Sequence, residues 1–237
     1  EFRWLASLRY KDIQGAMIGS DRKTFNGAVT LSYVYKNLIF RNQTTIGSNR
    51  SNESPYGSFS TYARQQPYNA PWDAEGKLNR YFDGWDAGES KLQNPLYDAT
   101  LNNLNRSGYT EIINNFSIEW KMNDALTVRG KFGISHTDNT SDRYISPESS
   151  EFKNYTGDEV LRKGRYTLGT GKSTRYEGNL TLSYSKLFND VHSLYAGVDA
   201  SISESESYSY GFVAEGFTND RPYLGNALAY AANGMPS

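Results

Sequence analysis

The chain has 237 residues, 25 basic and 26 acidic side chains for a formal net charge of -1, and no cysteine. That balance gives no electrostatic reason for a nucleic-acid partner, and without thiols there is neither a disulfide framework nor a thiolate metal site. A mean hydropathy of -0.70, with no run near the roughly 20 apolar residues of a spanning helix, is too polar for a helical membrane protein, but membrane-crossing strands of about 10 residues escape such averages.

Strict alternation organises the chain from its start, placing successive side chains on opposite faces of a strand. Phe2, Trp4, Ala6, Leu8 and Tyr10 share one face against Arg3, Ser7, Arg9 and Lys11. After a short loop, Phe25, Gly27, Val29, Leu31, Tyr33 and Tyr35 alternate with Asn26, Ala28, Thr30 and Ser32, and a tight turn at Lys36-Asn37 leads to a third strand over 38–48 with the weaker set Leu38, Phe40, Asn42, Thr44 and Ile46. Alternation returns with Ile112, Asn114, Phe116, Ile118, Trp120 and Met122, then, across the turn Asn123-Asp124-Ala125, with Leu126, Val128, Gly130, Phe132 and Ile134. Tyr176, Gly178, Leu180, Leu182 and Tyr184 follow, and past Phe188-Asn189-Asp190 come Leu194, Ala196, Val198, Ala200 and Ile202.

Seven strands of about 12 to 14 residues result, longer than the usual 5 to 6 of globular domains. Between them lie expected loops over 49–108, 138–172 and 208–237. Short and long connections alternate, so the tight turns at Asn37, Asn123 and Asn189 fall at one end of the strands and the long loops at the other. That pattern, with aromatics such as Trp4, Tyr35, Trp120 and Tyr184 near strand ends, predicts an all-β, antiparallel transmembrane β-barrel segment with periplasmic turns and extracellular loops. The alternative is a soluble β-rich carbohydrate-binding module, because any half-buried antiparallel sheet alternates. The chain opens on Glu1-Phe2-Arg3-Trp4, already within a strand and with no basic or apolar leader, so it is expected to be a portion of a longer protein.

Several phrases resemble those of SusC/RagA-type TonB-dependent transporters. Tyr10-Lys11-Asp12-Ile13-Gln14-Gly15, then Ser20, Arg22 and Phe25-Asn26, is similar to that family's Y-x-x-x-x-G hairpin. Asp73-Ala74-Glu75-Gly76-Lys77-Leu78 is similar to its D-x-x-G-x-L loop, and Asn94-Pro95-Leu96 to its N-P-L element. The resemblance implies that residues 1–237 are a middle portion of a 22-stranded barrel with no plug domain present. It further implies energy-coupled import of oligosaccharides or peptides across the outer membrane of a Gram-negative bacterium. The implied partners are a SusD-like surface lipoprotein, the TonB complex acting through a plug and TonB box absent from these residues, and outer-membrane lipid.

No catalytic constellation is visible, so no enzyme and no cofactor is expected. In particular, the strand pattern offers no carboxylate pair suited to glycoside hydrolysis. His136 and His192 lie on different strands, without acidic neighbours at metal-ligand spacing. Asp83, Asp86 and Glu89 lack the spacing of a calcium loop, and Gly169-Thr170-Gly171-Lys172-Ser173 lacks that of a phosphate loop; no metal site is expected. The candidates for substrate contact are Trp72, Asp73, Tyr81, Phe82, Trp85 and Tyr97, where flat apolar rings stand beside polar groups in one loop.

Overall fold

The computed structural model describes residues 1–82, 92–189 and 191–230. The strands are β1 (Phe2–Gln14), β2 (Asp21–Tyr35), β3 (Leu38–Asn52), β4 (Tyr81–Phe82), β5 (Leu92–Gln93), β6 (Leu104–Lys121), β7 (Leu126–Ile145), β8 (Arg165–Phe188), β9 (His192–Phe217) and β10 (Ala227–Tyr230). Two short helices, α1 (Phe59–Ala63) and α2 (Pro95–Asp98), lie in the connection between β3 and β6. Among the described residues, β1, β2, β3, β6, β7, β8, β9 and β10 form one antiparallel sheet in that order, and β4 and β5 form a separate pair. The fold is all-β, and all seven expected strands are present.

The tight turns are built locally. Tyr35 pairs with Leu38, leaving a two-residue loop in which Lys36 holds φ at 50°. Asn123 Oδ1 accepts hydrogen bonds from the backbone amides of Ala125 and Leu126, both at 2.9 Å, an Asx arrangement that turns the chain. Asn189 sits at φ 52°, and asparagine is among the few residues that tolerate the left-handed region; Asp190 of this expected turn lies outside the described residues. All three turns fall at one end of the sheet. The connections 53–103, 146–164 and 218–226 all fall at the other.

The strands run further towards the loop end than the alternation predicts. β3 continues to Asn52 and β6 begins at Leu104, inside the expected loop 49–108. β7 reaches Ile145 and β8 begins at Arg165, so much of the expected loop 138–172 is paired strand, and β9 extends to Phe217. In these extensions, for example Thr137 to Arg143 against Thr167 to Ser173, both faces carry polar side chains. The backbone ladder persists where the hydrophobic signal has ended.

Register then assembles the strands' apolar faces into one surface. Trp4 lies opposite Leu31, Tyr33 opposite Phe40, Phe40 opposite Ile118, Phe116 opposite Phe132, and Leu182 opposite Val198. The weak third strand fits as well. Asn42 and Asn114 exchange side-chain hydrogen bonds of 3.1 Å, and Asn114 also donates to Thr44 Oγ1 at 2.8 Å, so the polar groups inside the apolar belt satisfy one another.

Among the described residues nothing covers this belt. Trp4 is 70% exposed, Leu8 75%, Val198 68% and Ile202 76%. The only buried hydrophobic cluster among the described residues, Tyr144, Ala214 and Phe217, lies at the loop end, with the Tyr144 ring edge-on to Phe217 at 5.1 Å. The opposite face is mostly polar, with Arg3, Arg41, Glu119, Arg129, Lys131 and Glu177 on it beside a few apolar side chains such as Leu5, Val34 and Ile39, and Arg129 pairs with Glu119 at 2.7 Å.

The belt crosses the sheet obliquely. Its unbroken apolar run towards the loop end stops at Phe25 on β2 and at Ile202 on β9, where Glu204 and Glu206 follow on the same face before the aromatics Tyr208, Tyr210 and Phe212. Following the register from Phe25 through Ser48, Thr110, Asp138 and Lys172 leads to Tyr208. The boundary on β9 is therefore 208 − 202 = 6 residues lower, over five strand-to-strand steps. At about 3.4 Å per residue and about 4.8 Å between strands, that drop corresponds to strands tilted by about 40° to the belt, within the range of about 35–45° found in closed barrels.

Candidate functional site

The longest connection, 53–103, is folded around short-range polar contacts. Asp73 accepts at Oδ1 from the backbone amides of Glu75 (3.1 Å) and Lys77 (2.7 Å), and Gly76 takes φ 79°, a conformation glycine adopts without steric cost. The turn closes with a bridge between Trp72 and Leu78. The phrase D-x-x-G-x-L is thus a turn, with the carboxylate as its internal acceptor.

Asn94 is the centre of the loop. It has no exposed surface. Its Oδ1 accepts from Leu96 N at 3.1 Å, capping α2, whose first position is Pro95; Asn at the cap and Pro at the first helical position both suit a helix start. Its Nδ2 donates to the carbonyls of Pro71 (3.0 Å) and Asn79 (2.6 Å). One amide therefore ties together the segments that carry Trp72, Tyr81 and Tyr97.

This loop is clamped in turn to the connection 146–164. Asp98 Oδ1 accepts from Ser150 N at 2.9 Å, and its other oxygen accepts from Ser150 Oγ. Arg80 donates to Ser149 O at 3.1 Å, and Asn103 Oδ1 accepts from Ser146 N at 2.8 Å. Ser146, Ser149, Ser150 and Phe152 are buried. Next to them Arg165 pairs with Glu151 at 2.9 Å and stands over the Phe152 ring at 5.8 Å.

Of the candidates for ligand contact, the structure brings four side chains of the loop around Asn94 but in different states. Trp72 is half exposed and Phe82 is buried at 7%, so the Phe82 ring packs the loop. Tyr81 pairs with Gln93 across the β4–β5 ladder. Tyr97 lies on α2, half-buried; burial, and then the carboxylate of Glu148, hold its phenol above the ordinary value, so the phenol stays protonated and can donate at neutral pH. Asp73 is committed to its own turn. Trp85 lies outside the described residues, as do Asp83, Asp86 and Glu89.

Other expected features take plain structural roles. His136 meets Thr174 Oγ1 at 2.8 Å and Asp138 at 3.2 Å; this acidic neighbour, two residues on, lies on the same strand face, which a search for metal-ligand spacing passed over. Residues 169–173 lie within β8, paired on both sides, so no loop forms there to cradle a phosphate. Asn94, Asp98 and the serines at 146, 149 and 150 were not among the candidates. The Asn-Pro pair before a short polar helix was the available signal for Asn94, whereas nothing local announces a partner more than 50 residues away.

The whole chain superposes on part of a chain of the RagAB peptide transporter, with a TM-score of 0.74 and 16% sequence identity. It matches a chain of the RagAB peptide importer in its "closed-closed" state similarly, with a TM-score of 0.75 and 16% identity. The chain has the fold of a β-barrel wall. It spans 26% of the length of either transporter chain. No protein-family model and no curated protein sequence matches it.

Replacing Asn94 by Ala removes a cap worth about 1 kcal/mol and takes the side-chain donor from the Asn79 carbonyl and from the Pro71 carbonyl, which keeps Asn79 N as a donor, at about 1–3 kcal/mol in total. Hydrogen exchange of the amides of 72–81, 94 and 96–100 is expected to accelerate by one to two orders of magnitude, with β6 to β8 unchanged. Unaltered exchange in the loop contradicts Asn94's role as its tie.

Proposed function

We propose that the chain supplies wall strands and extracellular loops of a TonB-linked importer in the outer membrane of a Gram-negative bacterium, taking up peptides or oligosaccharides together with a SusD-like surface lipoprotein. One observation carries this reading: an apolar belt that is left uncovered among the described residues and that runs obliquely across the strands. Burying one large apolar side chain is worth about 1.5–3 kcal/mol, and a row of exposed ones calls for a covering phase. The belt on β2, from Phe25 to Tyr35, measures about 34 Å along the strand and, at the tilt derived above, about 26 Å in height, close to the lipid-facing band of outer-membrane barrels. The polar face then lines the lumen, the tight turns face the periplasm, and the connections 53–103, 146–164 and 218–226 stand outside the cell.

The likeness to the RagAB peptide transporter structures supports peptides ahead of oligosaccharides as cargo; the lipoprotein lid is the partner that the sequence resemblance implies. Energy coupling through a plug and TonB box belongs to other parts of such a transporter, whose full barrel has about 22 strands. Within the loop, Trp72, Tyr81 and Tyr97 are the residues for substrate contact, on a frame held by Asn94, Asp73 and Phe82. A soluble binding module would fold a second layer over the apolar face; among the described residues none does.

Two measurements test the reading. In bilayers, Leu31→Arg places a charge at mid-belt and is expected to lower stability by about 2–4 kcal/mol, while Thr30→Arg, on the opposite face, costs under about 1 kcal/mol; equal costs for the two contradict a lipid-facing belt. In cells carrying the full-length transporter, Trp72→Ala is expected to lower uptake of a labelled peptide mixture about tenfold at unchanged surface level. Unchanged uptake removes Trp72 from the substrate path.

A further inference from the structure

The two faces of the wall differ in charge as well as in polarity. On β1 to β3 and β6 to β9, eleven basic side chains stand on the polar face against five acidic ones, whereas the belt face carries five against six. Four of the five acids are already engaged. Glu119 pairs with Arg129 at 2.7 Å, Glu177 with Arg175 at 2.5 Å and Glu215 with Arg162 at 2.8 Å. Asp199, which also lies in the field of Lys131, accepts from Thr181 at 2.6 Å and from Asn179 at 2.8 Å. The fifth, Glu111, has no such partner among the described residues. Of the cations on this face, Arg3 pairs with Glu1, Arg129 with Glu119, Arg165 with Glu151 and Arg175 with Glu177. The other seven have no ion-pair or hydrogen-bond partner among the described residues.

Two of these seven, Lys121 and Arg143, lie at the turn end and the loop end of the wall. The five between them, Arg9, Lys11, Arg22, Arg41 and Lys131, are all exposed and are graded in depth. The outer limit of the belt is Tyr10 on β1, Phe25 on β2, Ile46 on β3 and Ile134 on β7. Arg22 lies three residues beyond that limit and Lys11 one beyond, while Arg9 lies one within it, Lys131 three within and Arg41 five within. At about 2.6 Å of height per residue of tilted strand, the ladder runs from about 8 Å above the limit to about 13 Å below it, in steps of about 5 Å.

The lowest rungs flank a concavity. Arg41 lies opposite Ser117 and Ser117 opposite Lys131, and with Gln43, Asn115, Gly133 and Asn179 they line a hollow of about 360 Å³. A Cβ on Gly133 would stand 3.0 Å from Asn115 Oδ1, so the missing side chain keeps the hollow open. The carboxylate that lines it, Glu177, is the one held by Arg175. Side-chain amides both donate and accept, as a peptide backbone does, and the two cations add charged donors for a carboxylate. Unneutralised cations on a low-dielectric wall focus their field into the space they line, and Arg and Lys are the residues that anion-selective pores use. We propose that this arc of the lumen selects peptides rich in aspartate and glutamate, whose carboxylates pass from Arg22, Lys11 and Arg9 near the outer surface to Lys131 and Arg41 at mid-depth. This inference rests on the importer reading and deepens it by naming the charge of the cargo.

The test uses cells carrying the full-length transporter with its partner proteins. Uptake of a labelled set of acidic peptides is compared with that of the same sequences bearing Gln and Asn in place of Glu and Asp. The wild type is set against the variant Arg9→Gln, Lys11→Gln, Arg22→Gln, Arg41→Gln, Lys131→Gln, with the surface level of each scored. Electrostatic focusing raises encounter rates by about tenfold or more, so the wild type is expected to take up the acidic set about tenfold faster and the variant to take up both sets equally. The charge-conserving variant Arg9→Lys, Arg22→Lys, Arg41→Lys should keep the preference. Added salt is expected to shrink the wild-type preference, a reading that decides the matter even where the neutral variant fails to reach the surface. Equal uptake of both sets by the wild type, or a preference that salt leaves unchanged, overturns the inference. So does a neutral variant that slows both sets by one factor, since the cations then serve another part of the protein. Absence of all peptide uptake at a normal surface level defeats the importer reading, whereas uptake without charge preference defeats this inference alone.

Discussion

One face of the sheet carries Phe, Leu, Ile, Val, Tyr and Trp side chains that nothing else among the described residues covers, and the rest of the architecture accommodates that fact. A half-buried sheet in a soluble protein gains its apolar burial from a packed second layer. Among the described residues the strands pack mainly against their neighbours in the sheet, β9 also meeting the turns at 157–162 and 224–226, and the buried cluster is three residues at the loop end. The belt's free energy must come from outside the sheet. With lipid as the covering phase, the strands have to cross its full thickness and every backbone group must be paired between strands, which is why they are long and continuous. The oblique path of the belt then follows from the tilt that closure of a barrel imposes.

The loop end obeys a different rule. Beside the small cluster of Tyr144, Ala214 and Phe217 and the buried rings of Phe82 and Phe152, the connections 53–103 and 146–164 are ordered by buried polar groups that satisfy each other: Asn94 on three segments, Asp98 on Ser150, Asn103 on Ser146. Such networks hold firmly when complete. Their effect is to fix the backbone that displays Trp72 and Tyr97 while leaving the Trp72 ring half exposed. A rigid frame with an exposed aromatic limits the ordering cost of binding a flexible ligand.

How far the sequence discloses this depends on whether a feature is periodic. The two-residue alternation reveals the seven strands, their apolar faces and the one-ended distribution of loops, because period-2 patterning is what a one-sided strand demands. It stops at the top of the belt. From Thr137 to Arg143 both faces of β7 are polar, so the strand continues with no hydrophobic mark. Asn42, Thr44 and Asn114 weaken the pattern of β3 and β6 only until their mutual hydrogen bonds are seen. The loop aromatics are legible as a composition, but their sorting into a packing ring at Phe82 and an exposed one at Trp72 is set by Asn94 and by contacts across long sequence separations, which no local pattern encodes.

The oblique belt separates a tilted, lipid-embedded wall from a sheet lying square to its covering layer. In the full-length protein, freed of any cysteine outside these residues, single cysteines can be placed along the apolar faces of β2 and β9, spin-labelled, and their bilayer depth measured by relaxation. The deepest positions are expected near Val29 and Leu31 on β2 and near Val198 on β9, although the register of Leu31 leads to Ile202 and that of Val198 leads to Tyr35. Depth maxima that follow one register row, with Leu31 and Ile202 equally deep, or labels that report water at every position, contradict the account.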